Sequence, residues 1–142
     1  MEQLNLGRDQ WHMMRAHVEA CSPLEACGLL AGHGDRVHEV LLIANELRSP
    51  TRFRMDPREQ IRAFNHMDEA GMELLGIFHS HPGLPGAGVP GKQEPSATDR
   101  AEAVYNVVQL IWSWARGQWR VRAFRLQDGQ ISEVVMHISD GK

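Results

Sequence analysis

Cysteine, aromatic residues and long apolar segments are all scarce in this sequence. Two cysteines, Cys21 and Cys27, are too few for a disulfide framework, so we expect free thiols and a reducing, cytoplasmic compartment. No apolar segment approaches the roughly 20 residues of a membrane-spanning helix. The first residues also lack the basic and apolar regions of a secretory signal. We therefore expect neither membrane association nor export.

The chain also lacks an excess of basic residues. Its 15 Lys and Arg against 18 Asp and Glu give a net charge of −3, with no clustered basic face for nucleic acid. The length of 142 residues, with 42% hydrophobic and 23% charged, is typical of one globular domain, and we predict a single domain over residues 1–142. The oligomeric state is not fixed by the sequence, which leaves a homodimer open.

Three helices are predicted from apolar spacing and end signals. Asp9 is placed to cap a first helix that Ser22-Pro23 ends. Asp56-Pro57 opens a second helix that stops near Gly71, and Ser96 begins a third. Apolar or alternating runs predict strands at residues 27–32, 37–44, 53–55, 74–78, 104–112, 119–126 and 131–138. This pattern predicts an α/β fold around one central sheet.

His79 and His81 come directly after the predicted strand at residues 74–78. Side chains two apart on an extended chain lie on the same face, so both imidazoles can reach one ion. A catalytic zinc site takes three protein ligands and keeps a fourth position for water. The pair alone is a weak signal, because histidines also serve as hydrogen-bonded polar residues.

Asp99 is a candidate third ligand, since a loop can fold it back onto the histidines. Ser96-Ala97-Thr98-Asp99 is also close to a capping box, in which a serine and an acidic residue satisfy the first helical N–H groups. Glu25, considered alone, is a surface carboxylate at a strand entry. The occurrence of all these residues in one order, rather than any one of them, favours a metal site.

That order resembles the motif of the JAMM (MPN-plus) metalloisopeptidases: Glu25, then His79-Ser80-His81-Pro82, then Ser96-Ala97-Thr98-Asp99. Residues 23–32 resemble the first strand region of the family. Residues 45–51 and 55–57 are similar to its bacterial Mec-type branch, whose peptidase acts on the sulfur-carrier protein CysO. The resemblance covers residues 23–138, nearly the whole chain.

The resemblance implies a cytidine-deaminase-like α/β domain, with a central mixed sheet flanked by about three helices. It also implies hydrolysis of an amide bond at the C-terminal glycine of a ubiquitin-like or sulfur-carrier (β-grasp) protein. By position it assigns His79, His81 and Asp99 as ligands of one catalytic Zn²⁺, Glu25 as general base, and Ser96 as the serine that assists at the tetrahedral intermediate. Zinc lowers the pKa of its water to about 7. Glu25 would accept that proton and pass it to the leaving amine, and Ser96 would hydrogen-bond the developing oxyanion.

One segment departs from the family pattern. Seventeen residues separate His81 from Asp99, where the family usually has about ten. The surplus falls at residues 84–91, inside a Gly- and Pro-rich stretch, 83–95, that has no periodicity. Lengthening a flexible loop costs only about 0.6 kcal/mol per doubling, so the ligands need not be disturbed. We predict a mobile loop that acts as a lid or a substrate-selecting rim.

Other residues and functions remain open at this point. Glu94 is a further carboxylate near the site, and Cys27 is expected to be a buried apolar residue rather than a nucleophile. The alternative function is a non-catalytic MPN-type scaffold for a ubiquitin-like partner, although all four parts of the motif are present. A zinc nucleobase deaminase would need His-x-Glu and Pro-Cys-x-x-Cys, which the sequence lacks. The residues leave open whether a carrier releases cysteine or a lysine isopeptide is cut.

Overall fold

Strands and helices alternate along the chain in the computed structural model, which describes residues 2–102 and 105–140. The strands are β1 (Gln3–Gly7), β2 (Cys27–His33), β3 (Arg36–Ile43), β4 (Glu73–His81), β5 (Val108–Ala115), β6 (Gln118–Gln127) and β7 (Gln130–Ser139). The helices are α1 (Arg8–Cys21), α2 (Pro57–Ala70) and α3 (Ala97–Glu102), with a 3-10 turn at Pro85–Ala87. None of the helices in the described residues is long and apolar enough to cross a membrane.

The strands form one closed sheet in the order β1-β3-β2-β4-β5-β6-β7, and β1 closes it by pairing with β7. β1 is parallel to both of its neighbours and β4 is parallel to β5, while the other pairs are antiparallel. A mixed sheet with helices on it confirms the predicted α/β fold.

The two faces of the sheet bury different apolar clusters. One face packs on α1 through Met14 and Val18, with Phe78 and Trp112 among the buried strand residues. The other face packs on α2 through Ala63 and Met67. Because strand side chains alternate between faces, consecutive residues of β4 enter different clusters, and this alternation later separates the histidines from Ser80.

The helix ends follow local chemistry, with one correction. The Asp56 carboxylate caps α2 by accepting from the N–H groups of Arg58 and Glu59, and Gly71 ends it in the left-handed conformation at φ 69°. The prediction that Asp9 caps α1 is wrong. Gly7 is the cap residue, and the Gln10 side chain accepts from its N–H at 2.8 Å.

Several predicted strand boundaries also need correction. β1 was not predicted, because Leu4 and Leu6 are the only apolar residues of this five-residue strand. Residues 53–55 form no strand but a single bridge between Asn45 and Met55. The strand predicted at 104–112 begins at Val108, and residue 104 lies outside the described residues. Tight turns join β2 to β3 between His33 and Arg36, and β6 to β7 between Gln127 and Gln130, so both strand pairs are hairpins.

Candidate metal centre

β4 carries both predicted histidines within the strand rather than beyond it. Its last three residues are His79, Ser80 and His81, and β4 lies between β2 and β5. His79 is paired with Cys27 on one side and Ile111 on the other. The two imidazoles are therefore mounted at i and i+2 on a central strand, where the neighbouring strands fix the backbone.

Three atoms that can bind a metal converge at this strand end. His79 Nε2 lies 3.2 Å from His81 Nε2. Asp99 Oδ2 lies 3.1 Å from His79 Nε2 and 3.0 Å from His81 Nε2. Both imidazoles are buried and the Asp99 side chain is only 10% exposed. The structure thus brings all three predicted ligands into one triangle.

The second ring nitrogen of His81 defines its hydrogen-bonding state. His81 Nδ1 lies 2.8 Å from the carbonyl oxygen of Lys92. A carbonyl oxygen only accepts, so Nδ1 donates, and the neutral imidazole presents a lone pair at Nε2. That lone pair faces the carboxylate oxygen of Asp99. Acceptor atoms held this close need a proton or a cation among them.

A divalent metal ion fits this triangle. A tetrahedral ion with N and O ligands at about 2.0–2.1 Å separates its ligand atoms by about 3.3 Å, close to the observed 3.0 to 3.2 Å. Two imidazoles and a carboxylate suit zinc and related first-row ions. A buried carboxylate oxygen beside them, Glu25 Oε1, also has no hydrogen-bond partner within residues 2–102 and 105–140.

Asp99 belongs both to the helix cap and to the triangle. The Ser96 N–H donates to Asp99 Oδ2 at 2.8 Å, and the Asp99 N–H donates to Ser96 Oγ at 3.0 Å. The capping box weighed as an alternative therefore exists, and it orients the carboxylate towards the histidines. Burial opposes ionisation, but the hydrogen bonds to His79 and His81 hold the pKa of the Asp99 carboxyl well below its usual range.

The pKa values of the two histidines shift in opposite directions. Burial lowers the pKa of His79. Burial also acts on His81, but its hydrogen bonds to Asp99 and to the Lys92 carbonyl outweigh that effect and raise its pKa. The shifts favour a neutral His79 beside an anionic Asp99, and a proton on His81 Nε2 has to leave before that nitrogen can bind a metal.

Glu25 is buried beside the histidines, so the alternative of a surface carboxylate is wrong. It is 3% exposed, and its ligand atom and those of His79 and His81 all lie within 4.8 Å of one another. Its N–H donates to the Ser49 carbonyl at 2.8 Å, and its carbonyl accepts from Asn45 Nδ2 at 3.1 Å. Burial raises the pKa of Glu25 to about 8, with a smaller lowering by His81. Such a carboxyl can take up and release a proton near neutral pH.

Sequence reasoning did not assign three side chains that support the site. Phe53 stacks on the His79 ring, with centroids 4.4 Å apart. Asn45 uses its whole amide: Nδ2 donates to the Glu25 and Arg52 carbonyls, and Oδ1 accepts from two further backbone N–H groups. Ser80 Oγ accepts from the Ala26 N–H at 2.8 Å. Asn45 and Ser80 both lie in segments that carry the family resemblance, which is the signal that could have drawn attention to them.

A cleft of about 370 Å³ opens beside the triangle. His79 and Asp99 line it on one side, and Phe53, Met55 and Ile77 give it apolar walls. Its volume, its apolar walls and its few polar groups are those of a ligand-binding cleft.

Glu94 and Cys27 do not belong to the site. The Glu94 side chain is 66% exposed and lies 3.9 Å from Arg122. The Cys27 thiol is buried and donates to the Ile43 carbonyl, and burial raises the pKa of Cys27 to about 12. Both cysteines are free thiols, as predicted.

Comparison with known proteins identifies the family. The profile of the family described as prokaryotic homologues of the JAB domain matches residues 8–127. The chain is 30% identical over 139 residues to the CysO-cysteine peptidase of Mycobacterium tuberculosis, covering 95% of this chain and 90% of that protein. The chain therefore belongs to the prokaryotic JAB-domain family, which confirms the resemblance found in its sequence.

Two further proteins are similar over different extents. A desampylase of Pyrococcus furiosus is 42% identical over 76 residues, which cover 52% of this chain and 54% of that protein. The match thus spans about half the length of this relative. The solution structure of a Desulfitobacterium hafniense protein superimposes with a TM-score of 0.81 at 32% identity, covering 97% of this chain and 94% of the other.

Proposed function

We propose that this chain is a zinc-dependent peptidase that hydrolyses a peptide or isopeptide bond at the C-terminal glycine of a ubiquitin-like or sulfur-carrier protein. The observation that carries the proposal is the triangle of His79, His81 and Asp99 with the protonatable Glu25 beside it. The names of the relatives, desampylase and CysO-cysteine peptidase, support the substrate class.

His79, His81 and Asp99 would hold the ion, and Glu25 is the proton carrier. Asp99 is the better ligand of the two carboxylates, because it contacts both imidazoles and has the low pKa of a permanent anion. When bound, zinc supplies Lewis-acid chemistry that activates a water molecule and polarises the scissile carbonyl.

Glu25 accepts the proton of the attacking water at its buried Oε1 and then gives it to the leaving amine, the general base and general acid steps of amide hydrolysis. In this proposal Ser96 has a second task. Its Oγ accepts from the Asp99 N–H, which leaves its own O–H free to donate to the oxyanion that develops on the carbonyl. Nearby apolar side chains, including the ring of Phe53, limit water around these groups.

Two substitutions test this assignment against the scaffold alternative. Glu25→Gln is expected to retain zinc but to lower the rate by about 10²–10⁴-fold, the usual contribution of a positioned base. His81→Ala is expected to lose both zinc and hydrolysis. Zinc content is measured by elemental analysis, and cleavage by intact mass on a panel of β-grasp carriers with C-terminal extensions.

The same panel decides between the outcomes. A Glu25→Gln variant that cleaves as fast as the parent would show that another group is the base. A zinc-loaded parent that binds carriers but cleaves none would favour the scaffold. Extensions that end in cysteine or in a lysine isopeptide separate the two substrate types.

A further inference from the structure

The loop of residues 83–92 is anchored to the metal centre at its base. We call residues 83–84 and 89–92 the stem and residues 85–88 the tip. Leu84 and Val89 exchange two backbone hydrogen bonds of 2.8 and 3.0 Å, which close the tip. Below them, the Gly91 N–H donates to the Trp114 carbonyl at 2.8 Å, which fixes the stem to the end of β5.

The stem touches the backbone of His81 with almost no space between them. A Cβ built on Gly91 would lie 1.7 Å from the His81 carbonyl oxygen and 2.6 Å from its carbonyl carbon. Real Cβ contacts are not this short, so only glycine permits the approach. The next residue, Lys92, then presents its carbonyl to His81 Nδ1 at 2.8 Å.

We infer that this stem is a positioning element for the metal ligand His81: Gly91 permits the close approach and the Lys92 carbonyl fixes the tautomer and the orientation of the ring. The inference rests on the metal site of the proposed function. An outer acceptor on a ligating histidine fixes the ring nitrogen that faces the metal and increases the basicity of the ligand. The stem and the tip of the long loop therefore have different roles. The stem positions His81, and this role does not depend on what the tip contacts.

Gly91→Ala and Gly86→Ala form a matched pair for the test. Gly86 lies in the tip, its added Cβ would meet no atom of the described residues within 4 Å, and its φ is not in the left-handed range. Gly91→Ala is expected to push the stem away from His81 and to weaken zinc binding by about 10–100-fold, the usual effect of losing an outer acceptor. Gly86→Ala is expected to keep the parent affinity. Zinc itself is the probe, measured by competition with a chromophoric chelator, with unfolding curves to compare the stability of the variants.

A second readout is the rate of hydrogen exchange at the His81 ring, which can be measured on metal-free protein. The His81 Nδ1–H is expected to exchange with solvent more slowly than the ring N–H of exposed His137, as followed by NMR of ¹⁵N-histidine protein. Gly91→Ala should remove this protection and Gly86→Ala should retain it. Exchange of His81 as fast as that of His137 in the parent would overturn the inference, even if Gly91→Ala does not fold.

The outcomes also separate this inference from the proposed function. Unchanged zinc affinity in a folded Gly91→Ala protein would overturn the positioning role alone. Weakened affinity in Gly91→Ala, together with a parent that cleaves no carrier, would support the positioning role while the proposed activity fails. If the parent binds no zinc, the proposed function fails and the exchange measurement still decides whether the stem holds the ring.

Discussion

At the scale of single residues, the site uses groups that each make two kinds of contact. Asp99 satisfies the first turn of α3 and faces both imidazoles through the same oxygen. Capping and ligation are therefore compatible at this position, although they compete as interpretations of the sequence. The same holds for Ser96, whose oxygen accepts in the cap while its hydrogen remains able to donate.

Ser80 offers a test at this scale, because it lies between the two histidines but points to the other face of β4. Its hydroxyl accepts from the Ala26 N–H, and its own N–H donates to the Ala26 carbonyl at 3.0 Å. Ser80→Ala leaves the buried Ala26 N–H without a partner and is expected to cost about 1–3 kcal/mol in the free energy of unfolding. Because Ala26 is the residue next to Glu25, we expect kcat to fall by a larger factor than the affinity for zinc.

Urea unfolding, zinc competition and kcat are measured together on Ser80→Ala. Ser132→Ala is the control, since Ser132 is exposed, and it should change stability by no more than about 0.5 kcal/mol. A Ser80→Ala protein as stable as the parent would contradict the structural role of this hydroxyl.

At the scale of elements, the loop between β4 and α3 differs from the predicted mobile segment in having an anchored stem. Removing residues 84–91, the direct test of a lid, would also remove Gly91 and its bond to Trp114. An effect of this deletion on activity could therefore come from the loss of the tip or from a displaced His81, and the experiment would not separate the two. The role of the loop as a lid or a substrate-selecting rim remains a prediction. Its test requires substitutions that change only exposed side chains of the loop.

Leu84 and Val89 are the appropriate positions, with exposures of 57% and 45%. Leu84→Ser combined with Val89→Thr keeps both backbone bonds and removes apolar surface that a carrier protein could cover. We expect KM for a cleaved carrier to rise about fivefold, corresponding to roughly 1 kcal/mol of lost apolar burial, with unchanged zinc affinity. Val135→Thr, at 39% exposure on β7, is the control. Unchanged KM in the double variant would rule out the rim.

At the scale of the whole molecule, the candidate metal centre joins parts of the chain that are distant in sequence. Glu25 precedes β2, the histidines end β4 and Asp99 lies in α3, and the closed sheet keeps β2 and β4 adjacent. A ligand that binds only the folded state stabilises it, so zinc should act as a link between β4 and α3.

Metal removal is therefore expected to lower the thermal stability of the protein. Zinc at 100 times its Kd should add about 2.7 kcal/mol to the free energy of unfolding, and chelation should reverse this in a melting experiment. Glu25→Gln should keep the full zinc-dependent shift in Tm. His81→Ala should show none, and an equal shift in both variants would exclude His81 as a ligand.

Much of the fold could be predicted because its signals are local. The Asp56-Pro57 start and the Gly71 end of α2 depend on a few neighbouring groups, and both are confirmed. β1 was missed because its stability comes from pairing with β7 and β3, more than 100 and about 30 residues away. Residues 53–55 are strand-like in sequence, but the Asn45 side chain hydrogen-bonds to the backbone of Arg52 and Arg54 and holds this segment as a loop. Local residue patterns do not predict such a contact.

For the site, the order of residue types along the chain was enough to identify the family. It did not reveal that Asp99 both caps α3 and completes the triangle, that Glu25 is buried, or that Lys92 supplies an acceptor to His81. These properties depend on distances across a closed sheet and on the exclusion of water, and both are set by contacts between residues far apart in the chain. Only the folded arrangement of the chain therefore fixes these three properties.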